Sequence, residues 1–239
     1  MCRHAAWLGA ARPLTSLIHE PEHGLLKQSY APRRQRQGLI NADGYGMGWY
    51  DQARAEPVRY RRTVPMWADA NLSALAQVAR STCLLAAVRS ATVGMPIEES
   101  ATAPFTDRGW LLSHNGRVTR DALRGLAGDL ADRAESACDA AWLAAAVFLR
   151  GRAGAALGEA LAEVVAAAGE KDPAARLNLL ACDGASIAAT VWGDTLFHRR
   201  LDDGVLVASE PLDDLPGWQA VPERSLLTVT GDAVSVQPI

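Results

Sequence analysis

The sequence predicts an α+β fold: strand-like segments come first, then a block of helical pattern, then more strands, rather than alternating βαβ units. Three observations carry that reading. Residues 83–88 form a continuous apolar run, Cys-Leu-Leu-Ala-Ala-Val, as expected of a strand covered on both faces. Between about residues 119 and 168, Ala-rich stretches carry apolar residues at helical spacing. Beyond Pro173 the pattern becomes short apolar strands separated by Asp/Gly turns. Two apolar sheets stacked on each other, with helices on their outer faces, would account for the buried strands. With no internal repeat and no linker-like stretch, residues 1–239 are expected to form a single domain.

In chain order, a first strand is expected over residues 2–8, followed by a loop broken by Pro13. Residues 19–44 are rich in His, Pro, Gly and Arg and should be irregular. Within them, Arg33-Arg34-Gln35-Arg36 reads as a solvated loop or as a contact for an anionic substrate. In Asp43-Gly44-Tyr45-Gly46-Met47-Gly48-Trp49-Tyr50, glycines at every second position strip one face of a strand and allow close approach to its backbone. This is no dinucleotide fingerprint, because no helical pattern follows it.

Asn71 is the expected N-cap of a helix reaching about residue 80, with Leu72, Leu75 and Val78 or Ala79 on one face. The strand at 83–88 delivers Arg89 at its end, where a guanidinium meets either a ligand or a structural carboxylate. Trp110-Leu111-Leu112 is strand-like and runs into Ser113-His114-Asn115-Gly116, which reads as a turn. Helices are expected over 119–130, 138–150 and 153–168. Strands are expected over 177–182, 186–192, 204–208, 226–229 and 233–236. The Asp183-Gly184 step is the clearest hairpin signal.

Lys and Arg number 24 against 27 Asp and Glu, a net charge of −3, which gives no reason to expect a nucleic-acid or anionic-membrane partner. No run of about 18 apolar residues is present to span a bilayer, and no basic-then-apolar signal region opens the chain. The four cysteines, Cys2, Cys83, Cys138 and Cys182, are widely spread and form no C-x-x-C pair. That spacing argues against a zinc ribbon or a disulfide scaffold and fits a reducing, cytoplasmic compartment. Cys2 and His4 alone lack the further ligands of a metal site. No metal and no cofactor is expected.

Chemistry concentrates at Met1-Cys2-Arg3-His4. If Met1 is removed, Cys2 carries a thiol and the free α-amine of the protein. With a pKa of roughly 7.7–8.0, that amine is partly uncharged near neutrality and can accept a proton. A thiol beside a base is an activated nucleophile, here built from one residue. An extra residue ahead of Cys2 would turn the amine into an amide, which is not a base. The competing reading is a Cys that simply packs as a small apolar side chain.

Taken in order, Met1-Cys2-Arg3, the glycine-rich stretch at 43–50, Arg89-Ser90-Ala91-Thr92-Val93-Gly94, His114-Asn115-Gly116, Leu177-Asn178-Leu179-Leu180 with Asp183-Gly184, and Ala208-Ser209-Glu210-Pro211-Leu212 resemble the class II glutamine amidotransferases. These belong to the N-terminal nucleophile hydrolases. The resemblance spans nearly the whole chain. It implies a four-layer αββα sandwich and hydrolysis of a γ-glutamyl amide through a thioester, with a small γ-glutamyl molecule as substrate. By the same resemblance, Cys2 is the nucleophile and Arg89, in the R-x-A-T stretch that includes Thr92, holds the glutamyl α-carboxylate. The side chain of Asn115 and the backbone N–H of Gly116 form the oxyanion hole. His114 lies beside the substrate, and Asp139 stands in the family's acidic position. Arg suits a carboxylate because its planar fork offers two parallel charge-assisted bonds.

Two departures bear on the substrate. The family's Asn-x-His-Pro-Phe is here Ala101-Thr102-Ala103-Pro104-Phe105, two polar side chains fewer. The acidic Ser/Thr-Asp-Ser/Thr-Glu becomes Ser136-Ala137-Cys138-Asp139, so the Asp that would hold a glutamyl α-amine is missing and only Asp139 remains to substitute, or to serve the start of a helix. The chain also ends where the family's glutaminase domain ends. These features point to a γ-glutamyl substrate other than free glutamine. The alternatives are an ammonia-supplying subunit that needs a synthase partner, and a non-catalytic binding protein of the same fold. Self-association to a homo-oligomer is left open.

Overall fold

The structure, a computed structural model, describes residues 2–231 and 233–239. Strand β1 (Arg3–Pro13) is followed by two short helices, α1 (Thr15–Ile18) and α2 (Leu25–Tyr30). Strands β2 (Tyr45–Trp49) and β3 (Val58–Arg62), helix α3 (Leu72–Val78) and strand β4 (Arg80–Val88) come next. Strands β5 (Phe105–Asp107) and β6 (Trp110–Arg117) lead into helices α4 (Arg120–Ala127), α5 (Asp139–Arg152) and α6 (Leu157–Lys171). The last third is β7 (Arg176–Cys182), β8 (Ser186–Val191), β9 (Phe197–Leu201), β10 (Gly204–Ala208), β11 (Gln219–Ala220), β12 (Ser225–Thr230) and β13 (Ala233–Pro238).

Two sheets form, one ordered β11-β9-β10-β1-β4-β2-β3 and the other β13-β12-β8-β7-β6-β5. Neighbours are antiparallel throughout. Because strand side chains alternate between faces, each buried strand serves two layers. Ala5 and Trp7, with Leu84, Ala86, Val88, Tyr45 and Met47, pack against Leu17, Ile18 and Leu25 of the first helices and Leu72 of α3. The intervening residues Ala6, Leu8, Cys83 and Leu85 meet Leu180, Cys182, Ile187 and Leu227 of the second sheet. That sheet's other face, with Leu112, Leu177 and Leu179, is covered by Leu123, Leu143, Val147, Leu161 and Val164 from α4, α5 and α6. The result is the four-layer αββα sandwich.

The stripped face of β2 is filled by the chain itself. A Cβ on Gly46 would strike the Ala103 carbonyl, and one on Gly48 would lie 2.7 Å from Leu111 Cδ1. The glycines thus let residues 102–105 lie directly against the first sheet.

Some expectations change. Strand β1 continues past residue 8 to Pro13 through a register shift between Leu8 and Arg12, and the segment expected to be irregular holds α2. Asn71 precedes α3, but its side chain makes no capping bond; instead its N–H donates to Asp69 Oδ1 at 2.8 Å. On that helix Ala76 is buried, while Val78 is exposed. The hairpin at Asp183-Gly184 is present: Asp183 Oδ1 accepts the N–H groups of Ala185 and Ser186 at 2.9 and 2.6 Å. Among the described residues, no helix is long and apolar enough to cross a membrane.

Candidate active site

The register of the first sheet gathers the chain ends that matter. Arg3 and Tyr45 both stand opposite Val88, so Cys2, Arg89 and Gly44 meet at one end of neighbouring strands. Backbone bonds lock this corner: Arg89 N–H donates to the Gly44 carbonyl at 2.8 Å and Asp43 N–H to the Arg89 carbonyl at 3.0 Å. Asp43 Oδ2 in turn accepts the Ala91 N–H at 2.7 Å. Across the sheet interface, β6 brings His114 and Gly116, and the start of α5 brings Asp139 and Ala140. Cys2, Arg89, His114 and Ala140 line two small cavities in common. Thr92, Gly116 and Asp139 line one of them; Ser113, Ala101 and Ala103 line the other.

Cys2 is partly exposed, with its sulfur 3.9 Å from the Ser90 carbonyl. Arg89 is 8% exposed, donates through Nη2 to the Pro96 carbonyl at 2.8 Å and leaves Nη1 buried with no partner. Of the two readings open from sequence, the structural ion pair is not the one realised: among the described residues no carboxylate pairs with this guanidinium. A buried charge without a counter-ion is costly, and this one faces a cavity.

Ser113-His114-Asn115-Gly116 is not a turn. These residues lie inside β6 and pair in register with Leu180, Leu179, Asn178 and Leu177 of β7. Gly116 needs no unusual backbone angle; close approach is what demands glycine, since a Cβ would strike the Arg176 carbonyl and lie 2.7 Å from His114 Nε2. The ladder also aims its N–H. Leu177 donates to Trp192 at 2.8 Å, away from β6, so its antiparallel partner Gly116 points its own N–H away from β7. On that side β5 has already ended, pairing only with residues 110–112.

His114 Nε2 lies 2.9 Å from the Arg176 carbonyl, which can only accept, so Nε2 carries the hydrogen. Burial lowers the pKa of this ring, partly opposed by the Asp139 charge, and the neutral tautomer leaves Nδ1 unprotonated. Asn115 is fully buried, and neither atom of its side-chain amide has a partner among the described residues. Asp139 opens α5: Oδ2 accepts the Val118 N–H at 3.1 Å and Oδ1 the Ala140 N–H at 2.9 Å. It therefore serves the helix start while lining the cavity. Ser136 donates to Glu98 Oε1 at 2.6 Å. That bond, with Ser100 and the Arg89 charge, holds the Glu98 carboxyl below its usual range.

Other residues of the region carried no signal strong enough to single out. His4 is fully buried, with Nδ1 3.2 Å from Ser113 Oγ. Its pKa is lowered to about 3, first by burial and then by the charges of Arg3 and His114. Glu210 is fully buried and accepts the backbone N–H groups of Arg33 at 3.0 Å and Arg34 at 2.6 Å. The basic run thus has exposed side chains on an anchored backbone. Glu22, His23 and Asp214 bring potential metal-ligand atoms within 4.8 Å of one another. Asp214, however, is already ion-paired to Arg33 at 2.7 Å.

Residues 26–198 match the family described as glutamine amidotransferases class-II. The chain is 53% identical over 239 residues, the whole of both chains, to the γ-glutamyl-hercynylcysteine sulfoxide hydrolase of Mycolicibacterium smegmatis. It is 51% identical to the protein of that name from Mycobacterium tuberculosis, over 99% of this chain and 96% of the other. A glutamine aminotransferase class-II domain protein from Silicibacter pomeroyi, 24% identical, superposes with a TM-score of 0.71 over 99% of both chains.

Proposed function

The chain belongs to the class II glutamine amidotransferases, and from that premise we propose that it hydrolyses the γ-glutamyl amide of γ-glutamyl-hercynylcysteine sulfoxide, releasing glutamate and hercynylcysteine sulfoxide. The observation that carries this reading is the buried Arg89, with no carboxylate paired to it among the described residues, lining one cavity with Cys2. Such a guanidinium is suited to the α-carboxylate of a glutamyl group. Cleft walls made of Ala101 and Ala103, with Ala137 in the acidic stretch, support a substrate other than free glutamine.

In the mechanism, removal of Met1 frees the Cys2 α-amine. The amine takes the thiol proton as sulfur attacks the γ-carbonyl carbon. The oxyanion accepts hydrogen bonds from Asn115 Nδ2 and the Gly116 N–H, donors aimed where charge develops. As the C–N bond breaks, the ammonium returns its proton to the departing amine, leaving a thioester. Water then attacks the thioester, the same amine taking its proton, and glutamate leaves with the thiol restored. Arg89 binds the α-carboxylate, Thr92 lines that end, and Asp139 faces the α-ammonium. His114, neutral, shapes the cavity wall behind Gly116. Both sheets supply groups to one cleft, which supports residues 1–239 acting as one domain.

The test is an intact mass, to establish loss of Met1, followed by incubation with the conjugate beside glutamine. Glutamate released from the conjugate with little from glutamine is expected. Brisk glutaminase activity with none on the conjugate would overturn the assignment.

A further inference from the structure

The nucleophile and its oxyanion donor belong to different sheets: Cys2 precedes β1 in one, and Asn115 lies on β6 in the other. The sheets meet through apolar side chains, and apolar contact is non-directional. Something directed must set the spacing between β1 and β6 at this end. Among the described residues, the one side-chain hydrogen bond joining these two strands is His4 Nδ1 to Ser113 Oγ, 3.2 Å.

Its placement follows from strand periodicity. His4 is two residues from Cys2, and Ser113 two from Asn115, so each shares a strand face with its functional neighbour. The His4–Ser113 bond thus lies two residues along each strand from Cys2 and from Asn115. His4 is itself held: its N–H donates to Ser209 Oγ at 3.0 Å, and its carbonyl accepts the Ser209 N–H at 2.9 Å. Ser113 lines the cavity that Cys2 lines.

A core built for stability alone would not choose this pair. His4 Nε2 is buried without a partner among the described residues, an uncompensated polar atom of the kind that marks functional sites. The ring stays neutral through the working pH range, so the bond does not change with ordinary shifts of acidity.

We propose that His4 and Ser113 are positioning residues of the hydrolysis, a cross-sheet rung that fixes the distance from the Cys2 sulfur to the Asn115 amide. The inference rests on the reading of Cys2 and Asn115 given above. Misplacement of reacting groups by about 1 Å can cost about a hundredfold in rate. Ser113→Ala is therefore expected to lower kcat by about 10- to 100-fold while KM stays within about threefold. Ser113→Thr, which keeps the hydroxyl, should recover most of the loss. Alkylation of Cys2 by iodoacetamide, which needs the thiol and not the oxyanion donor, should proceed at the wild-type rate in both.

Wild-type kcat in Ser113→Ala overturns the proposal, as does a parallel fall of kcat, alkylation rate and melting temperature. Should Ser113→Ala not yield folded protein, Ser113→Cys has nearly the same volume and a poor hydrogen-bonding group, and it is read in the same way. Cys2→Ala run alongside separates the two claims: retained hydrolysis there defeats the nucleophile assignment, whatever Ser113 does.

Discussion

Asn115 and Asn178 stand opposite each other on β6 and β7, both fully buried, and only one of them is hydrogen-bonded. Asn178 Nδ2 donates to the Asp194 carbonyl at 3.0 Å, and its Oδ1 accepts the N–H groups of Trp192 and Asp194, each at 3.1 Å. Neither amide atom of Asn115 has a partner among the described residues. The same side chain, at the same depth and in the same pair of strands, is structural in one strand and held in reserve in the other.

That contrast makes a paired prediction. Leaving a buried donor or acceptor unmade costs about 1–3 kcal/mol, so Asn115→Ala removes a cost rather than a bond. It should leave the melting temperature unchanged or higher while kcat falls by about a hundred- to a thousandfold, the loss typical of an oxyanion donor. Asn178→Ala orphans the Trp192 and Asp194 N–H groups and should lower stability by about 2–3 kcal/mol. Thermal melts and steady-state kinetics on the two variants check this, and a destabilised but active Asn115→Ala would contradict it.

Arg89→Gln is expected to act on substrate binding. A buried charge pair broken on one side loses about 2–5 kcal/mol, which corresponds to a KM raised by about 30-fold or more. Because no carboxylate among the described residues pairs with the guanidinium, its removal gives up only the bond to the Pro96 carbonyl and should weaken the fold little. Kinetics with a glutamyl substrate, together with a denaturant melt, separate the two effects. An unchanged KM would show that the α-carboxylate binds elsewhere.

The layers were legible because buried strands write their two-residue alternation plainly: Ala5 and Trp7 go to the helices, Ala6 and Leu8 to the sheet interface. Strands β3 and β9, Val-Arg-Tyr-Arg-Arg and Phe-His-Arg-Arg-Leu, were not read as strands. Charged residues at successive positions hide the period where strands lie at or near a sheet edge. His114, Asn115 and Gly116 carry turn chemistry locally, and only pairing with β7 makes them strand. Within the site, Cys2, Arg89, Asn115, Gly116 and Asp139 could be named from motifs. That Arg89 Nη1 and the Asn115 amide lack partners among the described residues could not, since it depends on what the fold fails to bring near them. His4 and Ser113, 109 residues apart, share no spacing that a sequence reveals.

Gly116→Ala should damage both fold and activity. The added methyl meets the Arg176 carbonyl, a backbone atom that cannot swing aside, and the His114 ring that is bonded to it at 2.9 Å. Overpacking of this kind costs about 1–3 kcal/mol, and it displaces the N–H assigned to the oxyanion. A lowered melting temperature with a kcat loss larger than that of Ser113→Ala is the expected result. Full activity at normal stability would mean that β6 and β7 can separate freely here.

Acid should destabilise the protein well before its carboxylates titrate. His4 falls from the ordinary 6.5 to about 3 in the fold, and burial also lowers His114 and His198. Between those values the unfolded chain binds a proton that the folded chain refuses, so stability rises with pH. The contribution is complete above about pH 6.5 and drains away as pH falls toward 3. For His4 alone, the step from 6.5 to about pH 5 amounts to roughly 2 kcal/mol, and the other two rings act in the same direction. Asp69, Glu98 and Asp214, whose carboxyls sit below their usual range, weaken the fold only at lower pH. Denaturant melts at about pH 7 and about pH 5 should therefore differ by at least about 2 kcal/mol, with the difference reduced in His4→Gln. Equal stability at the two pH values would mean that His4 reaches solvent in the folded protein and takes up its proton there.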